Sequence, residues 1–328
     1  MKTDERHRFQ PDILKVLLGR SNQMKHAFTR NLFCIGGWLA FLLQLVSCAP
    51  AELRSAPVPH QSGEAGSLAG MMPGHAGNSL RVMTLNMAHG RGTVFHQALL
   101  STDRTRKNLE ATNTLLDRVE PHVTAFQEAD APSFWSGRFN HMEYLASLGA
   151  PAHVVLGSHV DAIGLSYGTA LLSRLELSNP ESMTFAPSLT TIPTGFVVAT
   201  IRWPQREDFN VDVVSLHLDF MSASMRKKQL DELIALLRIR SNPVIVMGDF
   251  NAGWQDGSAP QYLADQLGLS GFRPEDSQMI TFPKLRRRLD WILISPDFAF
   301  SDHEVIEDRV SDHLGVTATL VLADNRER

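Results

Sequence analysis

The chain is short of cysteine, of long apolar runs and of excess positive charge, and each shortage excludes something. Its 328 residues include two cysteines, Cys34 and Cys48. Both lie upstream of every strand-like segment, so no disulfide framework staples a domain together. There is no internal repeat and no low-complexity run, which excludes repeat arrays. Net charge is −4; residues 1–48 hold seven Lys/Arg and three Asp/Glu, leaving 24 cations against 32 anions, or −8, for the remainder. That balance gives no broad electrostatic footprint for nucleic acid. The longest apolar run, residues 32–47, is short of the roughly 20 residues that span a bilayer.

What is present suffices for a packed core. Hydrophobic residues make up 43% of the chain and charged residues 20%, enough for one large domain or two without special staples. The apolar run follows Lys25 and Arg30 and ends Leu45-Val46-Ser47-Cys48. A positive segment before a short apolar one describes a secretory signal. Its end resembles a bacterial lipobox, in which Cys48 is lipidated and becomes the mature N-terminus. The alternative is a marginal transmembrane anchor. The signal has ordinary proportions if translation starts at Met24, so residues 1–23 are expected not to be made. Residues 49–78, rich in Pro, Gly, Ser and Ala, read as a flexible tether with a reach of roughly 30 Å. The expected location is the extracytoplasmic bacterial envelope, lipid-anchored, with free secretion as the alternative. A catalytic domain is expected over 79–322, with a short tail over 323–328.

Within that domain the most informative stretch is Val244-Ile245-Val246-Met247-Gly248-Asp249-Phe250-Asn251. Four apolar residues read as a buried strand. Gly248 is expected to let the backbone turn, presenting Asp249 and Asn251 at a sheet edge, where open sheets place their chemistry. Other strands end the same way: at Asn86 after 81–85, at Glu128 after Phe126-Gln127, and at His217 after 211–216. Downstream, Asp290 heads 291–294, and Ser311-Asp312-His313 precedes the last strand. Strands are expected near 80–86, up to 128, 152–157, 169–173, 195–203, 210–218, 289–294, 298–306 and 314–321. Amphipathic spacing predicts helices over 104–120 and 222–239, and a short helix is expected over 259–267; residues 131–150 are aromatic, irregular and helical in part. Strands outnumber helices, which suits an α+β sandwich of two mostly antiparallel sheets packed face to face with helices outside.

In this order and spacing the motifs resemble the endonuclease/exonuclease/phosphatase superfamily, which includes deoxyribonuclease I, exonuclease III-type endonucleases and neutral sphingomyelinases. The resemblance runs from about Leu80 to Leu320 and implies a deoxyribonuclease I-like fold. It also implies metal-dependent hydrolysis of a phosphate ester by direct water attack. Carboxylates and amides at strand ends suit a hard cation, Mg2+ with Mn2+ as a substitute. Glu128 is then a direct metal ligand, Asn86 touches metal or phosphate, and Asp312 lies near the metal. Asp290 pairs with His313, whose imidazolium stabilises the pentacovalent phosphate. Asp249 orients or deprotonates the water, Asn251 holds a phosphoryl oxygen, and His217 contacts phosphate or protonates the leaving oxygen. Lys284, Arg286, Arg287 and Arg288 form either a phosphate-steering loop or a solvated face.

Several alternatives stay open at this level. The ester is a phosphodiester of nucleic acid or of a phospholipid or sphingolipid headgroup, or else a phosphomonoester. Gly164-Leu165-Ser166-Tyr167-Gly168 matches a nucleophile elbow and gives a serine esterase reading through Ser166. A lipid-anchored binding protein without catalysis is a third class. The expected partners are the phosphate-ester substrate and a membrane, with the chain monomeric.

Overall fold

The computed structural model describes residues 78–149, 152–186 and 191–323. The signal with Cys48, the start at Met24, the tether up to residue 77 and the tail from residue 324 lie outside the described residues. Among the described residues no helix is long and apolar enough to cross a membrane.

Strand β1 (Ser79–Asn86) leads through helix α1 (Thr102–Val119) into β2 (Val123–Asp130), and α2 (His141–Leu148) leads into the hairpin β3 (His153–Ala162) and β4 (Leu165–Ser173). Strands β5 (Ser178–Thr184), β6 (Gly195–Trp203) and β7 (Arg206–His217) follow, then α3 (Ala223–Arg240) crosses to β8 (Val244–Asp249). Helix α4 (Ala259–Leu267), a short β9 (Ser270–Gly271), β10 (Asp290–Ile294), β11 (Phe298–Val305) and β12 (Val316–Leu322) complete the fold. Two six-stranded sheets result, in the orders β11-β12-β1-β2-β4-β3 and β5-β6-β7-β8-β10-β9. Neighbouring strands are antiparallel except at two places, β1 beside β2 and β7 beside β8. Each parallel pair is joined by one long helix, α1 or α3, as a parallel connection requires.

Alternation along the strands decides what each residue faces. Leu80 and Val82 of β1 join Ile245 and Met247 of β8 in the core between the sheets. Val244 and Val246 point the other way, onto Leu230, Leu233 and Leu237 of α3 and Leu263 of α4. On the far side, Met83 and Leu85 pack against Leu109, Leu115 and Leu116 of α1 and Met142 of α2. Each fully buried aliphatic side chain contributes about 1.5–3 kcal/mol. The described domain is therefore four layers, helix on sheet on sheet on helix. The helices start where the sequence offers caps: Ser101 Oγ accepts from Arg104 N, and Ser222 Oγ from Met225 N.

Some elements differ from expectation. β3 and β4 are longer than the apolar runs 152–157 and 169–173, because the hairpin continues through polar residues. β7 likewise starts at Arg206 rather than near 210. β5 was not expected at all: Ser178-Asn179-Pro180-Glu181-Ser182-Met183-Thr184 has no apolar alternation. It is an edge strand with irregular register between Ser178 and Glu181, a place that tolerates Pro180.

Candidate active site

Strand register delivers the site. His217 of β7 pairs directly with Asp249 of β8, and Asp249 pairs with Asp290 of β10. Three chemically active side chains thus stand in one row across three adjacent strands. The turn expected at Gly248 does not occur there; Gly248 lies inside the ladder. A Cβ there would sit 1.9 Å from the carbonyl oxygen of Leu216, so only glycine allows this approach. The turn comes at Asn251, which is left-handed, with its N–H donating to Asp249 Oδ1 at 2.9 Å. In the other sheet, β1 ends at Asn86. Beside it, the ladder between β2 and β4 slips between Gln127 and Ala129, and the residue skipped is Glu128. Glu128 is left-handed at φ 52, a conformation costing about 1–2 kcal/mol for a residue with a Cβ. A bulge of this kind re-aims a side chain.

One amide ties the two sheets together. Asn86 Nδ2 donates to Glu128 Oε1 at 3.2 Å and to Asp249 Oδ2 at 3.1 Å, while its Oδ1 accepts from Ala88 N. Asn86 therefore bridges the two acids through its amide nitrogen, with its carbonyl oxygen toward the Ala88 N–H.

On the other side of Asp249, His313 Nδ1 lies 2.9 Å from Asp290 Oδ2 and 3.2 Å from Oδ1. Thr281 Oγ1 donates to Asp290 Oδ2 at 2.6 Å and accepts from the Leu289 and Asp290 N–H groups. His313 Nε2 and His217 Nε2 both approach Asp249 Oδ2, at 3.8 and 3.7 Å. Burial works against a charged His313, but Asp290 and Asp249 outweigh it and hold its pKa at about 10. Asp249, Asp290 and His313 present atoms all within 4.8 Å of one another, a set able to hold an ion. Asp290, however, spends its oxygens on His313 and Thr281, so this trio reads better as a proton-handling group than as a cation cage.

Glu128 has a second set of neighbours that sequence did not reveal. His89 Nε2 lies 3.3 Å from Glu128 Oε2, and His89 Nδ1 lies 2.7 Å from Asp130 Oδ1. Asp130 is fully buried and also accepts from Trp135 Nε1 and Ser136 Oγ. Burial disfavours charge on both His89 and Glu128. For His89 the carboxylates of Asp130 and Glu128 reverse that and raise its pKa; for Glu128 the three nearby histidines and Arg91 hold it down to about 2. Positive charge between these groups is thus strongly favoured. The signal for His89 was the run Ala88-His89-Gly90 directly after a strand end, where a glycine marks unusual backbone.

Asp312 does not line the cleft described below; its Oδ2 lies 2.5 Å from Arg91 Nη2. Asn251 donates one amide hydrogen to the Leu218 carbonyl, which leaves a second. His89, Glu128, His217, Asp249, Asn251 and His313 line one cleft, with Tyr167, His159 and Phe220 on its walls. The Tyr167 hydroxyl has no hydrogen-bond partner among the described residues. His159 is buried against Thr169 and Thr184, and burial with the nearby His217 holds its pKa down to about 3.

Of the basic run, Lys284, Arg286 and Arg287 are exposed and do not line the cleft. Arg288 is buried over the Trp291 ring and donates to the carbonyls of Phe272 and Arg273, so it is withdrawn from any phosphate. Gly164 to Gly168 forms no nucleophile elbow: Gly164 is in the tight turn of the β3–β4 hairpin and Ser166 is a strand residue paired with Asp161. The Ser166 hydroxyl donates to Ser158 Oγ at 3.2 Å, which ends the serine esterase reading.

The profile of the Endonuclease/Exonuclease/phosphatase family matches residues 83–313. No curated protein sequence matches the chain. Among solved structures, an endonuclease/exonuclease/phosphatase from Beutenbergia cavernae is 19% identical, with a TM-score of 0.56 over 75% of this chain and 72% of that one. A mannosyl-6-phosphatase from Bacteroides thetaiotaomicron is 15% identical, with a TM-score of 0.55 over 74% of this chain and 100% of that one. D. rerio TDP2, complexed with single strand DNA product, is 15% identical, with a TM-score of 0.54 over 74% and 98%. At these identities the likeness is one of fold.

Proposed function

Since the chain belongs to the endonuclease/exonuclease/phosphatase family, a family of phosphoric ester hydrolases, we propose that it cleaves a phosphodiester by direct attack of water, with a divalent cation of the Mg2+ type. The observation that carries this is the meeting of Glu128, Asp249 and His313 in one cleft, tied across the two sheets by Asn86.

The cation would be held by Glu128, whose carboxylate stays ionised and faces the cleft with few other donors. When bound, it supplies positive charge to the phosphoryl oxygens as negative charge develops there. The chain's own groups do the rest. Asp249 takes the proton of the attacking water; its Oδ2 is fixed by Asn86. Asp290 grips His313 Nδ1, so Nε2 faces Asp249 and the phosphate, and a charged imidazole donates to a phosphoryl oxygen. The free amide hydrogen of Asn251 binds another. His217, level with Asp249, gives a proton to the leaving oxygen. No covalent intermediate is required.

The substrate reading rests on charge and location. The acidic domain disfavours a long nucleic-acid track. A lipid anchor at Cys48 would hold a monomeric domain on a tether at a bacterial envelope surface, where phospholipid or sphingolipid headgroups are the abundant diesters. A phosphomonoester is the second reading, because a solved structure of this fold is a mannosyl-6-phosphatase. The test compares bis- and mono-nitrophenyl phosphate, DNA and sphingomyelin, each with Mg2+ and with chelator. Faster turnover of the diester and loss of activity with chelator are expected. Turnover of the monoester alone would move the enzyme to the phosphatases; no turnover of any ester would favour the binding-protein class.

A further inference from the structure

His89 is placed with unusual care for a residue in a loop. Three successive residues, Ala88, His89 and Gly90, are left-handed, with φ of 49, 56 and 68. For the two with a Cβ this conformation is unfavourable, and such strain persists only where surrounding structure imposes it. Here the surroundings do so. A Cβ on Gly90 would crowd the side chains of Thr105 at 3.0 Å and His141 at 3.1 Å. The imidazole is held edge-on to Tyr167 at 4.8 Å and beside Trp135 at 5.1 Å. Asp130, anchored by Trp135 and Ser136, takes Nδ1. What remains is Nε2, which lines the cleft beside Glu128 Oε2.

A carboxylate on one ring nitrogen, with the other nitrogen turned to a cleft beside a second carboxylate, is the usual setting of a metal-ligating histidine. The distance agrees. Two metal–ligand bonds of about 2.1 Å subtend about 104° across the 3.3 Å between Nε2 and Oε2. That is close to the angle between neighbouring ligands in tetrahedral or octahedral sites. Asp312 is paired with Arg91 and does not line the cleft, which leaves substrate oxygens and water as further ligands. We propose that His89 and Glu128 together ligate the catalytic cation, and that the imidazole nitrogen shifts the site's preference from Mg2+ toward first-row transition cations such as Mn2+. Mg2+ takes oxygen ligands and keeps its waters, whereas imidazole is a better partner for softer ions. The inference rests on the metal-dependent reading above, but a purely structural His89–Asp130 pair would give a different result.

The test uses the full chain stripped of metal, titrated calorimetrically with Mn2+ and with Mg2+, alongside His89→Gln. Wild type is expected to bind Mn2+ at least about 10-fold more tightly than Mg2+. His89→Gln is expected to weaken Mn2+ by about 10–100-fold and Mg2+ by less than about 3-fold. Pulsed electron paramagnetic resonance of the Mn2+-bound protein is expected to show a directly bound nitrogen in wild type and none in His89→Gln. Equal weakening of both ions, or a nitrogen signal that survives the substitution, overturns the assignment. Absence of bound nitrogen in wild type does so without any variant. Failure to bind either ion overturns the metal-dependent reading as well.

Discussion

Asp290 and His313 are joined by a buried hydrogen bond, Oδ2 to Nδ1 at 2.9 Å, across 23 residues of sequence. Asp290 opens β10, and His313 lies in the loop before β12. Thr281 Oγ1 donates to the same Asp290 oxygen at 2.6 Å, and the Phe282 ring lies 4.6 Å from the imidazole. The imidazole therefore has one orientation, with Nε2 toward Asp249.

Asp290→Asn keeps the size of the side chain and removes its charge. The imidazole loses the partner that fixes its tautomer and favours its protonated form. A drop in kcat of about 100-fold or more, with KM within about 3-fold, is the expected outcome in steady-state assays with bis(4-nitrophenyl) phosphate. An equal rise in KM with unchanged kcat would place Asp290 in substrate binding instead.

Acid sensitivity should trace in part to His159. In the folded protein its pKa is about 3, against an ordinary value of 6.5. Between those limits the unfolded chain binds a proton that the folded chain does not. Its contribution to stability is therefore complete above about pH 6.5 and falls as pH drops toward 3, by about 1.4 kcal/mol per pH unit. His159→Gln, which can still bond to Thr169 and Thr184, is expected to flatten urea-unfolding stability between pH 6 and pH 4.5 relative to wild type. Parallel slopes for the two proteins would contradict this.

The second sheet carries a buried ion pair that is purely structural. Asp212, 1% exposed, accepts from Arg240 Nε at 2.9 Å and Nη2 at 3.0 Å, and from Thr200 and Asn242. Arg240 also reaches Glu181 on the edge strand β5. Arg240→Met leaves Asp212 buried and short of its counter-charge, which costs about 3–5 kcal/mol. Denaturant melts are expected to show that loss, with kcat of the remaining folded enzyme unchanged. A loss below about 1 kcal/mol would mean that water reaches Asp212.

The sheet framework was legible because its strands are apolar and end in polar residues. β6 and α4 match the expected 195–203 and 259–267, and the long helices start at the serines that cap them. β5 was hidden because an edge strand needs little apolar alternation. The row His217, Asp249, Asp290 could be suspected from strand ends, yet only ladder register sets them level. Glu128 was visible as a residue type, but its bulge was not, since a bulge depends on the partner strand β4. The partners Asp130, Arg91 and Thr281 come from elsewhere in the chain and have no local signature. The same holds for Arg288, whose fate is decided by Trp291 beneath it and not by the basic run it belongs to.

On this reading, strand ends from both sheets act together on one phosphate. This is tested most directly by the rate of bis(4-nitrophenyl) phosphate hydrolysis for wild type with cation, wild type with chelator, Asp249→Ala and His313→Ala. Chelation is expected to abolish the rate, and each substitution to lower it by at least about 100-fold. Undiminished hydrolysis by either variant, or by wild type in chelator, would contradict it.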